Sequence, residues 1–139
     1  MKPLMLFICL LTGMQTIKAQ TAEETLEWLN VKKVDIERNN GSVYSADKLR
    51  AADHYSSIAH DIQWQNIKEV IIKKGYGIVV KGKVIERCFK GCDWDDKSAE
   101  SLTIYCWDSS PPEMIEKFVK ALKHMAELKG AKFLNDNLF

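Results

Sequence analysis

The sequence predicts an α+β domain: an antiparallel β-meander, open or partly closed, packed against a C-terminal amphipathic helix, with a short N-terminal helix. Three observations carry this. β-branched residues recur between Gly-containing turns from Asp61 to Phe89, Leu102–Trp107 alternates as a strand does, and the residues after Ser110 place their apolar side chains on one helical face. Such a stripe has to be covered, because each large apolar side chain taken out of water contributes about 1.5–3 kcal/mol, and a sheet is the surface on offer.

The chain of 139 residues begins Met1-Lys2-Pro3, runs apolar from Leu4 to Leu11, and becomes less apolar from Thr12 to Ala19. A basic start, a short apolar middle and a small residue before the cut are what export machinery reads. A spanning helix needs about 20 apolar residues, and Thr12, Gly13, Gln15, Thr16 and Lys18 interrupt this run. Residues 1–19 therefore read as a cleavable signal peptide cut between Ala19 and Gln20, with no stable membrane anchor, and Cys9 lacks the small residues a lipoprotein cut requires. That leaves residues 20–139 as a single periplasmic or secreted domain, large enough to bury a core.

The expected mature chain holds 18 basic and 19 acidic residues, since Lys2 and Lys18 fall in the leader. Nucleic acid or an anionic membrane calls for a basic excess, so neither is an expected partner. Lys68, Lys73, Lys74, Lys81 and Lys83 alternate with strand residues and read as a solvated face.

Thr21 and Glu24 form a capping-box pattern, which starts a helix over about Ala22 to Lys32. Ala22, Leu26 and Leu29 make its narrow inward stripe, with Trp28 on the other side. Val34-Asp35-Ile36-Glu37, a turn at Asn39-Asn40-Gly41 and Ser42-Val43-Tyr44 read as a hairpin. Ala46 to His60 has no clean period and reads as a long connection. Strand residues then run through Ile62, Trp64, Ile67, Val70 and Ile72, turn at Gly75-Tyr76-Gly77, continue through Ile78–Val80, turn again at Lys81-Gly82-Lys83, and resume from Val84 to Phe89.

The last helix has the clearest start: Ser110 as cap, then prolines, then Glu113. Met114, Ile115, Phe118, Val119, Leu122, Met125 and Ala126 share a face, and Gly130 ends it.

The opening Thr21–Leu29, the Ile62–Ile72 strand region and the helix Glu113–Leu128 behind a signal ending Lys18-Ala19-Gln20 resemble small exported proteins of unknown function common in Bacteroidetes. The layout also resembles a pleckstrin-homology-like sheet with a terminal helix. Neither likeness implies catalytic residues, and fold alone does not carry function.

Three cysteines remain after processing. An oxidising compartment favours a disulfide, and Cys88 with Cys92 is the preferred pair if the intervening loop turns back, the alternatives being Cys106 paired with either of them or three free thiols. Cys-x₃-Cys and His-x₅-His (His54, His60) match zinc spacing poorly, so no metal and no cofactor is expected. Asp93 to Ser98 lacks the ligand order of a calcium loop and reads as a solvated acidic loop. His124 reads as an exposed residue near a helix end. Asp53, His54, His60 and Asp61 are the one place where acids and imidazoles gather, without a nucleophile motif beside them.

Of the four tryptophans, Trp64 is expected inside, and Trp28 and Trp94 are the candidates for a contact surface. The reading that follows is an exported non-catalytic domain binding an envelope protein or a small apolar ligand between sheet and helix. A small exported hydrolase using the His54/His60 loop and an immunity-type inhibitor are the alternatives.

Overall fold

The computed structural model describes residues 20–38, 41–52, 57–75 and 77–133. The expected cut between Ala19 and Gln20 involves a residue outside that set, as do Asp53 and His54. Two helices and five strands follow in the order α1 (Ala22–Ile36), β1 (Ser42–Tyr44), β2 (Lys48–Ala52), β3 (Ile58–Lys73), β4 (Gly77–Cys88), β5 (Lys97–Tyr105) and α2 (Pro112–Leu128). The strands make one antiparallel sheet in sequence order, the meander that the turn spacing predicts. No described helix is long and apolar enough to cross a membrane.

Thr21 caps α1 as expected: its hydroxyl oxygen accepts from the Glu24 amide at 3.1 Å. The helix continues past Lys32 through Ile36, so the expected strand at Val34–Glu37 is wrong. Alternation and helical period both fit so short a stretch. The helix prevails because Thr25, Leu29 and Ile36 lie on one buried face, leaving Val34 exposed. Of Val34–Glu37 only Glu37 makes a β-type pairing, an isolated bridge to Cys106 just after β5.

The expected long connection Ala46–His60 is corrected too, since it contains β2 and the start of β3. β2 sends a single large apolar side chain, Leu49, into the core, too little to register as a pattern. Gly82 is not a turn but a point inside β4, at a register shift between Lys81 and Val84. Its φ is +156°, and a Cβ there would collide with the Asn66 carbonyl oxygen, so the glycine serves a close strand approach.

Register fixes which side chains share a face. Leu49, Ile62 and Val84 lie opposite one another and face the helices, while Arg50, Asp61 and Ile85 share the other face. The core is built on the helix side from Leu29, Tyr44, Ile62, Trp64, Val80, Ile104, Phe118, Leu122 and Met125. Tyr44 meets Phe118 edge-on at 5.5 Å between ring centroids, and Trp64 donates its indole N–H to the Ser45 carbonyl at 2.7 Å.

α2 packs on β3 and against α1, with Phe118, Val119, Leu122, Met125 and Ala126 buried as the stripe predicts. Its cap is displaced by one residue: Pro111 occupies the cap position, and the Ser110 hydroxyl donates to the Ile36 carbonyl at 3.1 Å. Ser110 thus tethers the start of α2 to the end of α1.

Both edges of the sheet are visible. β1 is covered by α1, whose Asn30 donates to the Tyr44 carbonyl at 2.9 Å and accepts from the Tyr44 amide at 3.3 Å, while Lys33 donates to the Ser42 carbonyl at 2.6 Å. At the other edge the end of β5 is met by the residues after α1: Arg38 donates to the Tyr105 carbonyl at 2.7 Å and Trp107 to that of Ile36 at 3.0 Å.

Candidate ligand cleft

The end of β3, the start of β4, the residues after β5 and the first turns of α2 enclose a cleft of about 600 Å³. Ile72, Cys106, Trp107, Pro112 and Ile115 give it apolar walls, and the exposed charges Lys73, Lys74, Asp108 and Glu116 complete the lining. The local sequence explains the opening. β5 ends at Tyr105, the chain is tied down by Trp107 and Ser110, and Pro111-Pro112 then starts α2 beyond the sheet end, so that Ile115 stays half-buried. Trp107 is 49% exposed and Ile72 47% exposed, unusual for large apolar side chains unless something covers them.

A buried polar group stands behind Cys106. Glu37 and Cys106 are paired across the bridge between the flanking hydrogen bonds of Arg38 and Trp107, the arrangement in which opposed side chains come closest. Glu37 is only 6% exposed, and its Oε2 is buried with no hydrogen-bond partner, the one such side-chain atom among the described residues. Burial pushes its carboxyl above the ordinary value, against the opposing effects of the Ser42 hydrogen bonds and the Lys33 charge. The Cys106 thiol is pushed up to about 11 by burial and by the neighbouring Glu37, which keeps it a neutral thiol. The Ser42 and Tyr44 hydroxyls lie 2.9 Å apart in the same buried group.

The opposite face holds a second polar cluster. Asp61, 4% exposed, receives Arg50 through two hydrogen bonds of 2.6 and 2.8 Å, Arg87 at 3.0 Å and Lys48 at 3.5 Å. Burial alone would raise this carboxyl, but hydrogen bonds and charge from Arg50, with Lys48 and Arg87, hold it below the ordinary value. β2 and β5, the strands on either side of β3 and β4, approach each other, so the sheet is curled.

The residues singled out from sequence fall as follows. His60 lies 3.0 Å from Glu86 on the face opposite Asp61, so the strand separates the imidazole from the carboxylate expected beside it. Trp28 is half-buried against Phe118, with ring centroids 6.0 Å apart, and Trp94 is half-buried beneath the Lys97 ammonium at 4.3 Å. Cys88 and Cys92 lie at disulfide-bonding distance, with Cα atoms 6.1 Å apart, and Cys106 is the free, buried cysteine. Asp96 pairs with Arg87 at 2.8 Å, and no group of three or more His, Cys, Asp or Glu side chains converges among the described residues. His124 is half-buried rather than exposed, donating to the Gln20 carbonyl at 2.8 Å.

Sequence reading missed Trp107 and Glu37. Trp107 carried a signal, an aromatic between the last strand and a Pro-Pro helix start. Glu37 carried none, because its burial depends on pairing with a residue 69 positions away in the chain. Comparison with protein families, with curated proteins and with solved structures finds no match for this chain.

Proposed function

We propose that this chain is an exported, non-catalytic binding domain whose cleft between sheet and helix takes a small apolar ligand. The cleft itself carries the reading: about 600 Å³ with walls from Ile72, Cys106, Trp107 and Ile115 is within the size and character of small-molecule sites. Export is supported by the basic-apolar-small pattern of residues 1–19 and by cysteines at disulfide distance, which suit an oxidising compartment. The titratable groups support binding rather than catalysis, since the Cys106 thiol is pushed away from thiolate and His60 sits against Glu86.

The test is a fluorescence titration with anilinonaphthalene sulfonate, followed through the probe and through tryptophan emission. One saturable site is expected, abolished in Ile115→Trp, which fills the cleft, and unchanged in Val31→Trp on the exposed face of α1. Binding that ignores Ile115→Trp in a folded variant rejects the cleft as the site.

A further inference from the structure

The Glu37 carboxyl is out of place in a small core. A buried polar atom left unpaired costs about 1–3 kcal/mol, and the large majority of buried side-chain polar atoms find a partner in the protein or in ordered water. Around Glu37 the Ser42 hydrogen bonds and the Lys33 charge act on the carboxyl but leave Oε2 without a partner. The Lys33 ammonium donates to the Ser42 carbonyl at 2.6 Å, the Ser42 and Tyr44 hydroxyls face each other at 2.9 Å, and the Cys106 thiol donates to the Ile104 carbonyl at 3.6 Å. What remains beside the carboxyl is Cys106, paired with it across the bridge, and Cys106 is also a wall of the cleft. The orphan oxygen and the cleft thus share one side chain, and a thiol is small enough to turn aside.

We infer that the inner end of the cleft receives a hydrogen-bond donor of the ligand, which Glu37 accepts past Cys106, so that the ligand class is an apolar molecule bearing one hydroxyl or N–H group at its buried end. This rests on the cleft being the binding site. It adds what the apolar walls alone do not decide: which end of an amphiphile enters first. The exposed charges Lys73, Lys74, Asp108 and Glu116 are equal in number and opposite in sign, so the outer lining gives an ionic head no net attraction. A neutral donor carried inward is the occupant that leaves no polar atom at this end unpaired.

Two isomers separate the terms. 1-Octanol and heptyl methyl ether have the same atoms and nearly the same length, but the alcohol alone donates a hydrogen bond. Each is titrated into the ¹⁵N-labelled protein, with the amides of Cys106 and Ile115 and the Trp107 indole followed by NMR. The alcohol is expected to bind about tenfold more tightly, the effect of one buried hydrogen bond. In Glu37→Met the alcohol falls to the affinity of the ether while the ether is unchanged.

Equal binding of the two isomers to the unaltered protein overturns the inference and leaves the cleft standing. A preference for the alcohol that survives in folded Glu37→Met also overturns it, placing the acceptor elsewhere. If neither isomer shifts these signals, the cleft reading fails and this inference with it. The isomer comparison needs no variant, so it decides the question even where Glu37→Met does not fold.

Discussion

Among the described residues two carboxylates are buried, and they are treated in opposite ways. Asp61 lies on β3, and three cations on β2 and β4 converge on it. Glu37 lies where α1 meets the end of β5, with one oxygen unpartnered. The same residue chemistry and nearly the same burial give a carboxyl held below its ordinary value in one place and pushed above it in the other. Asp61 is anchored by cations that reach it from solvent along the sheet, since Lys48, Arg50 and Arg87 each remain about one-third exposed. At Glu37 the surroundings are Tyr44, Ser42 and Cys106, and the one cation that acts on it, Lys33, donates to the Ser42 carbonyl and does not offset the burial. The first cluster is finished within the chain, and the second is not.

Phe118→Ala gives the largest effect and ties the comparison to the core. Phe118 is fully buried against Tyr44 and Trp28, and its removal is expected to cost about 3–5 kcal/mol in denaturant unfolding. A cost well under 1 kcal/mol would detach α2 from the core that supports the Glu37 end. Asp61→Asn comes next. It strips the charge partner from three cations, and with those cations partly solvated the expected loss is about 2–3 kcal/mol, less than for a fully buried pair. No loss in the same assay would mean that the sheet does not depend on the cluster.

Glu37→Met gives the smallest effect and the opposite sign, neutral to stabilising by about 1 kcal/mol near pH 7, because it removes an unpaired polar atom and keeps the volume. The pH dependence sharpens the contrast. Glu37, raised from near 4.5, holds its proton longer in the folded chain than in the unfolded one. Its ionisation therefore erodes stability as pH rises from about 4.5 through the folded value. Asp61, lowered from near 3.8, contributes stability that is complete above 3.8 and lost as pH falls toward and through its folded value. Urea unfolding at pH 4 and pH 8 should show Glu37→Met gaining on the unaltered protein over that interval. A constant difference would mean that Glu37 ionises as freely in the folded chain as in the unfolded one.

The contrast also shows what sequence can carry. α2 was legible because seven apolar residues repeat at one period, and the meander because Gly and β-branched residues punctuate it at short intervals. Ser110 was recognised as a helix-start residue, yet its hydroxyl serves the end of α1, a partner 74 positions earlier that local pattern cannot name. β2 escaped because one inward leucine between Lys48 and Arg50 has no period. Arg50 itself is explained only by Asp61, its neighbour across the strands. The cleft escaped for the same reason: Ile72, Cys106 and Ile115 come from three segments that nothing local relates. Periodic burial is written along the chain, whereas a polar cluster or an opening is written between strands.

The way α1 lies along β1 has a consequence for association. Asn30 and Lys33 stand in for the neighbour that a border strand lacks, so that side of the sheet offers little for another backbone to bind. The opposite border is met only at its end, where Arg38 and Trp107 bond across, and along Lys97–Thr103 no further strand follows in the sheet among the described residues. Chains with two open borders can add copies without limit and grow into fibres. A chain open on one side can join one other, and the pair is then closed on both sides.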